Sequence, residues 1–266
     1  MKKGVYAGCF PESMPLEDRF ALAREVGFDA IEIRGEFELV ESSHRLDQLR
    51  ELAKRTVPVC SIMGAVGWNP SLTSGDAAER VRAIDIFGLT IRAAARLGAD
   101  TVLVVPGRVS DQVSYDQAWE RAQAGLKQLA PVAEDAGVCL AIENVWNKFL
   151  LSPREMRQFV DEIGSPAVQS YFDVGNVLQF GYPEQWIATL GQRIKKVHVK
   201  DFKTSVGNIT GFCQLLDGDV NWPVVIAALR TVGYDGYITA EVPPYKHFAR
   251  KGLFDLASSL QAIIGI

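Results

Sequence analysis

Four polar residues close apolar runs in the second half of the chain: Glu143 after Leu140-Ala141-Ile142, Asp173 after Tyr171-Phe172, His198 between Val197 and Val199, and Glu241 after Thr239-Ala240. His198 is one of only three histidines. In a strand of period two the valines beside it face one way, and His198 and Lys200 the other. Ile142, Phe172, Val174 and Val242 play the same part around the acids, so alternation aims all four polar groups to one side. A single carboxylate would be expected to cap a helix or pair with an arginine. Three crowded into a low-dielectric mouth repel one another by on the order of several kcal/mol, and a divalent cation relieves that conflict. The expected ligand set is therefore Glu143, Asp173, His198 and Glu241. Three oxygens and an imidazole, with room for water or substrate oxygens, suit Mn2+ first, and Mg2+ or Co2+ as well. Zn2+ in an open catalytic site stays compatible.

Such a cation is what proton abstraction beside a ketone requires, because at pH 7 the carbanion is too basic unless its charge spreads onto oxygen. An enediolate is the expected intermediate. Carboxylates on opposite faces of the reacting carbon allow a proton to leave from one side and return on the other, which inverts the centre. Glu143 and Glu241 fit those two acid/base roles.

The elements that must position these groups follow from periodicity. Strands are expected at about 5–10, 29–33, 57–63, 101–105, 139–144, 169–173, 194–200 and 236–242, with helices between them at about 15–26, 44–55, 76–97, 115–136, from 153, at 183–191, 221–232 and 248–264. Gly27, Gly98 and Gly137 stand where helices should stop, and Ser152-Pro153-Arg154-Glu155 reads as a helix start with cap, proline and acid in place. Eight strands alternating with helices, with polar groups at strand ends, predict an α/β chain folded as one (β/α)8 TIM barrel over residues 1–266. An open doubly wound sheet fits less well, since no Gly-x-Gly-x-x-Gly follows the first strand.

The 266 residues are 48% hydrophobic and 23% charged, with a formal net charge of -4. That balance argues against a nucleic-acid partner or an anionic membrane surface. No apolar stretch is long enough to span a bilayer, and the N-terminal apolar run is too short for a secretory signal. Cys9, Cys60, Cys139 and Cys213 form no Cys-x-x-Cys pair and read as reduced thiols of a cytoplasmic protein. A small-molecule partner is expected, and self-association into a homo-oligomer stays compatible with the sequence.

The runs Phe172-Asp173-Val174-Gly175-Asn176, Val197-His198-Val199-Lys200-Asp201, Gly218-Asp219-Val220-Asn221-Trp222 and Gly233-Tyr234-Asp235-Gly236-Tyr237-Ile238-Thr239-Ala240-Glu241 resemble the xylose-isomerase-like sugar isomerase/epimerase superfamily. The similarity is to the branch of pentulose-5-phosphate 3-epimerases and proteins named hexulose-6-phosphate isomerase. It implies a metal-dependent sugar or sugar-phosphate epimerase or isomerase in which Glu143, Asp173, His198 and Glu241 hold the metal and the two glutamates double as acid/bases. Free-ketose 3-epimerases typically carry a histidine at Asn176 and an arginine a few residues beyond the strand-seven histidine. This chain has Lys200 and Lys203 there instead, as in the phosphate-sugar branch. Gly67-Trp68-Asn69 replaces the basic and histidine residues that many relatives place after strand three.

Several further residues are candidates for substrate contact. Lys200 shares the inward parity of His198 and could polarise a substrate oxygen or contact a phosphate, or else pair with a carboxylate. Glu32, ending strand two, could bind substrate hydroxyls or pair with Arg34. Trp68 and Trp146 stand on the mouth side, where aromatic faces stack on sugar C–H groups or pack loops. Asn176 could donate to substrate or hold its turn. Residues 202–221 form a long loop expected to act as a lid. Two competing readings are a lyase or hydratase on a 3-keto sugar, which would use the same site, and a sugar-binding barrel without turnover.

Overall fold

The computed structural model describes residues 1–64, 66 and 68–266; Ala65 and Gly67 lie outside the description, and with them part of the loop that carries Trp68. Strands β1 (Lys2–Tyr6), β2 (Ala30–Arg34), β3 (Val59–Met63), β4 (Thr101–Val104), β5 (Cys139–Glu143), β6 (Val168–Asp173) and β7 (Ile194–Val199) are followed by a two-stranded ribbon, β8 (Asp201–Phe202) with β9 (Phe212–Cys213), and then by β10 (Tyr237–Ala240). All but the ribbon close into a parallel barrel in the order β1-β10-β7-β6-β5-β4-β3-β2. The expected (β/α)8 barrel is what the chain forms.

The wall helices are α1 (Leu16–Val26), α2 (Phe37–Glu41), α3 (Ser43–Arg55), α4 (Ala77–Leu97), α5 (Tyr115–Ala136), α6 (Pro153–Ile163), α7 (Val174–Leu178), α8 (Pro183–Leu190), α9 (Trp222–Thr231) and α10 (Ala249–Ile264). Their ends lie where local chemistry sets them. Ser152 and Glu155 form a reciprocal capping box at α6 with Pro153 in the first turn, and Gly98 ends α4 at φ 81, a backbone region that costs glycine little. The five-residue helices α2 and α7 have no counterpart among the expected elements, because one turn and a half is too short to show a 3.6-residue period. No helix among the described residues is long and apolar enough to cross a membrane.

Alternation gives the barrel an apolar outside and an unusually polar inside. Val197 and Val199 join the large core under the helices, whereas Leu103, Cys139, Ala141 and Tyr171 form a small separate cluster. Along β7 and one residue past its end, Lys196, His198 and Lys200 share one parity and stand at successive depths in the barrel. Lys196 is buried, pairs with Asp100 at 2.9 Å and lies 4.9 Å from the Tyr237 ring centroid. His198 sits at mid-depth and Lys200 at the mouth. All four cysteines are free thiols, three of them buried.

Candidate metal centre and substrate cavity

The carboxyl ends of β5, β6, β7 and β10 bring Glu143, Asp173, His198 and Glu241 together, with one ligand atom from each lying within 4.8 Å of the others. His198 Nδ1 faces the carboxylates, at 3.1 Å from Glu143 Oε1, 3.6 Å from Glu241 Oε2 and 3.9 Å from Asp173 Oδ2. His198 and Asp173 are fully buried, and Glu143 nearly so.

Neighbours hold the strand ends that carry these groups. Asp173 Oδ1 accepts the Asn176 amide at 2.7 Å, so the acid also caps α7. Asn144 clamps the ends of β5 and β6 by donating to the Asp173 carbonyl and accepting from its amide, both at 2.8 Å. Cys9, in the turn after β1, donates Sγ–H to the Ala240 carbonyl and accepts from Val242 N, both at 3.3 Å, which brackets Glu241 on either side. The expected first strand thus stops at Tyr6, and Cys9 serves as a cross-link to β10.

Behind the histidine lies the deepest part of the site. His198 Nε2 is 2.8 Å from Glu32 Oε1, while Glu32 Oε2 accepts from Tyr171 Oη at 2.7 Å and Ser61 Oγ at 2.5 Å. Tyr171 also packs on the imidazole, with ring centroids 4.4 Å apart. Glu32, expected to meet substrate hydroxyls or pair with Arg34, is placed elsewhere. It is fully buried beneath His198, its parity points it down the barrel axis, and it does not line the cavity. With Nε2 committed to Glu32, Nδ1 is the nitrogen turned to the carboxylates, where it hydrogen-bonds Glu143 as an N–H and would offer its lone pair to a cation once deprotonated. Ser61, Tyr171, Asn144 and Cys9 were not singled out from sequence. Tyr171 alone carried a usable signal, the inward parity it shares with Asp173.

Electrostatics set these groups apart from surface acids. Burial pushes Glu143 up to about 7 despite its His198 hydrogen bond, and burial also raises Asp173 against the pull of Lys200. For Glu241 burial works in the same direction, but the Lys200 and His198 charges outweigh it and hold this acid below its usual range. Lys200 donates to Asp173 Oδ2 at 2.6 Å and to Glu241, so Lys200 takes the carboxylate-pairing role foreseen as one of its options. Burial disfavours its charge, yet Asp173 and Glu241 raise its pKa. Burial likewise opposes charge on His198, and Glu32, Glu241 and Glu143 drive its pKa well upward. Counting Glu32, four carboxylates meet at most two cations, His198 and Lys200. The formal deficit of two charges, together with the three-oxygen, one-nitrogen donor set, fits a divalent cation.

Above the ring opens a cavity of about 720 Å3 lined by Glu143, Glu241, Lys200, Asn176, Trp68 and Trp146 among others. Asn176 reaches its edge with Nδ2 already donated to the Asn144 carbonyl at 2.9 Å. Trp146 donates its indole N–H to the Asn176 carbonyl at 2.8 Å and packs against Phe180, Phe202 and Phe212, so one face of the loop wall is fixed. Trp68 is half exposed at the lip. Ile209 and Phe212, from the segment expected to be a lid, already line the mouth. That segment is tied down by buried Asp201, whose carboxylate accepts from Leu216 N, Val220 N and Trp222 Nε1 at 3.0–3.1 Å.

Residues 20–262 match the family described as xylose isomerase-like TIM barrel. The chain belongs to this family. Among its relatives, the 2-epi-5-epi-valiolone 7-phosphate 2-epimerase of an Actinoplanes species is 30% identical over 193 residues, covering 70% of this chain and 68% of that protein. A putative L-ribulose-5-phosphate 3-epimerase of Escherichia coli, SgbU, is 26% identical over 254 residues, covering 90% and 87%. Of solved structures, D-psicose 3-epimerase in the presence of D-fructose superposes with a TM-score of 0.83 at 20% identity over 100% of both chains. The IolI protein with a bound zinc atom superposes at 0.86 and 19% identity over 100% and 98%. These two likenesses show the fold.

Proposed function

We propose that this chain is a divalent-metal-dependent epimerase or isomerase of a small ketose or ketose phosphate, with Glu143 and Glu241 as paired acid/bases. The observation that carries the reading is the placement of those two glutamates, at the end of β5 and just past β10 with β6 and β7 between them, converging on one ring at the floor of the cavity. Relatives named as sugar-phosphate epimerases support it.

Glu143, Asp173, His198 and Glu241 would hold the cation, which when bound would draw negative charge onto the substrate's carbonyl and hydroxyl oxygens. One glutamate removes the proton beside the carbonyl and the other returns a proton on the opposite face, which inverts that carbon. Asn144 and Cys9 keep the two glutamates in register. Lys200 keeps a positive charge beside Asp173 and Glu241, and so limits the cost of crowding acids in a buried mouth. Trp146 with Phe202 and Phe212 shields one wall from water, which protects a proton-labile intermediate.

The test is solvent-deuterium exchange followed by NMR over a panel of free and phosphorylated ketoses, on protein stripped of metal and then supplied with Mn2+, Co2+, Mg2+ or Zn2+. Metal-dependent exchange at carbon 3 is expected for epimerisation, and at carbon 1 for aldose-ketose isomerisation. Loss of a β-substituent in place of exchange would point to a lyase. No exchange with any ketose and any ion would leave a binding barrel as the better description.

A further inference from the structure

Four charged side chains line the cavity above the ring, and three of them, Glu143, Glu241 and Lys200, belong to the cluster already described. The fourth is Arg34, the last residue of β2, on the opposite half of the barrel mouth. It shares the parity of Glu32 and so stands above that residue at the top of the barrel. Its side chain also lines a second cavity of about 790 Å3, which shares Tyr6 and Gly8 with the first. Arg34 therefore marks the junction between the two.

The other cations of the second cavity are committed. Arg19 donates to the carbonyls of Met14, Ala7 and Glu12 at 2.9, 2.9 and 3.1 Å, and Arg45 pairs with Glu17. Glu12, Glu36 and Glu38 also line it, yet the Arg34 guanidinium makes no ion pair or hydrogen bond among the described residues. Its field does reach Tyr6: burial and Glu32 push that phenol up to about 12 while Arg34 opposes them. Tyr6 thus stands beside the guanidinium as a protonated hydroxyl.

An exposed guanidinium without a side-chain partner, in a cavity whose other end is the ring of candidate acid/bases, presents a planar fork with no internal acceptor. We propose that Arg34 binds the terminal phosphate of a ketose phosphate and so selects phosphorylated over free ketoses. The proposal rests on the epimerase reading for which end of the substrate reacts. A sugar carboxylate would meet the same fork, but a phosphate offers more acceptor oxygens and about twice the charge at pH 7.

The experiment compares wild type, Arg34→Met and Arg34→Lys, each with Mn2+, on ribulose 5-phosphate, ribulose and a ketose carrying a terminal carboxylate. Wild type should favour the phosphate ester, and Arg34→Met should cut the ratio of kcat/KM between ester and free sugar by about 10²-fold, as expected for two charge-assisted bonds. The loss should lie mainly in KM, with Arg34→Lys intermediate. An unchanged ratio, an equal fall on both sugars, or a preference for the carboxylate would overturn the assignment. If wild type turns over no sugar, the epimerase reading fails, and calorimetric titration with ribulose 5-phosphate and with inorganic phosphate decides the Arg34 site separately. At least tenfold weaker binding of both by Arg34→Met upholds the site, and equal affinity sinks it.

Discussion

The two halves of the barrel mouth are built on different principles. In the half made by β5, β6, β7 and β10, every strand end delivers a charged or imidazole group to one point, and Asp173, His198 and the backbone on either side of Glu241 are held by further hydrogen bonds. In the half made by β1 to β4, the lining includes Tyr6, Gly8, Met63, Trp68, Asn69 and Leu103, with Arg34 the sole charge among the described lining residues. The first half is crowded and charge-frustrated without a cation. The second is roomy and contributes its charged groups at two depths, Glu32 below the ring and Arg34 above it. On the proposed function the chemistry would be set on one side and the substrate's identity on the other, with Glu32 as the point where the quiet half reaches across to His198.

Breaking the crowded half should have the largest effect. Glu143→Gln and Glu241→Gln each keep a ligand oxygen and remove one acid/base group, so net conversion should fall by about 10²–10⁴-fold while the far-ultraviolet circular dichroism stays that of the parent. Deuterium incorporation from each epimer separately should survive on the face whose glutamate remains. Full conversion by either variant with metal bound would show that two bases are not needed.

Glu32→Gln asks whether the quiet half tunes the ligand set. Loss of the carboxylate behind Nε2 should weaken metal affinity by about 10–100-fold, read by competition with a chromogenic chelator. An unchanged affinity would reduce Glu32 to a packing residue. Tyr171→Phe is gentler, removing one bond to a buried carboxylate, and should lower stability by about 1.5 kcal/mol in urea unfolding of the metal-free protein.

The smallest effect belongs to the bottom of the barrel, far from the mouth. Burial disfavours the charge of Asp100, but Lys195 and Lys196 outweigh it and hold the acid down to about 2. A depressed folded pKa gives stability that is complete above the ordinary aspartate range, about pH 4, and lost as the pH falls towards 2. Asp100→Asn should therefore flatten the acid limb of a melting-temperature profile between those values and leave the neutral limb parallel. An unaltered acid limb would show that the half-exposed pair is screened.

The convergence of the four candidate ligands was legible because strand alternation is a local rule. Ile142, Phe172, Val197 and Val242 each declare which way their neighbour must face, and the acids and histidine follow. The capping box at Ser152, the glycine stops and the count of eight strands were local in the same sense. Asn144, Cys9 and Ser61 were opaque. Their partners lie 29, 231 and 29 residues away in sequence, and nothing in an asparagine, a small buried thiol or a serine says which distant carbonyl or carboxylate it will meet. Glu32 is the sharpest case. Its inward parity could be read, but depth along the barrel axis could not, because depth depends on the stagger between strands. The register of β1 against β2 sets Tyr6 opposite Glu32, and β2 meets β3 through a shift between Ile31 and Glu32. The sequence by itself determined which residues face the barrel axis. Only closure of the sheet decided at what height each one sits, and height is what divides a group behind the histidine from a group facing the cavity.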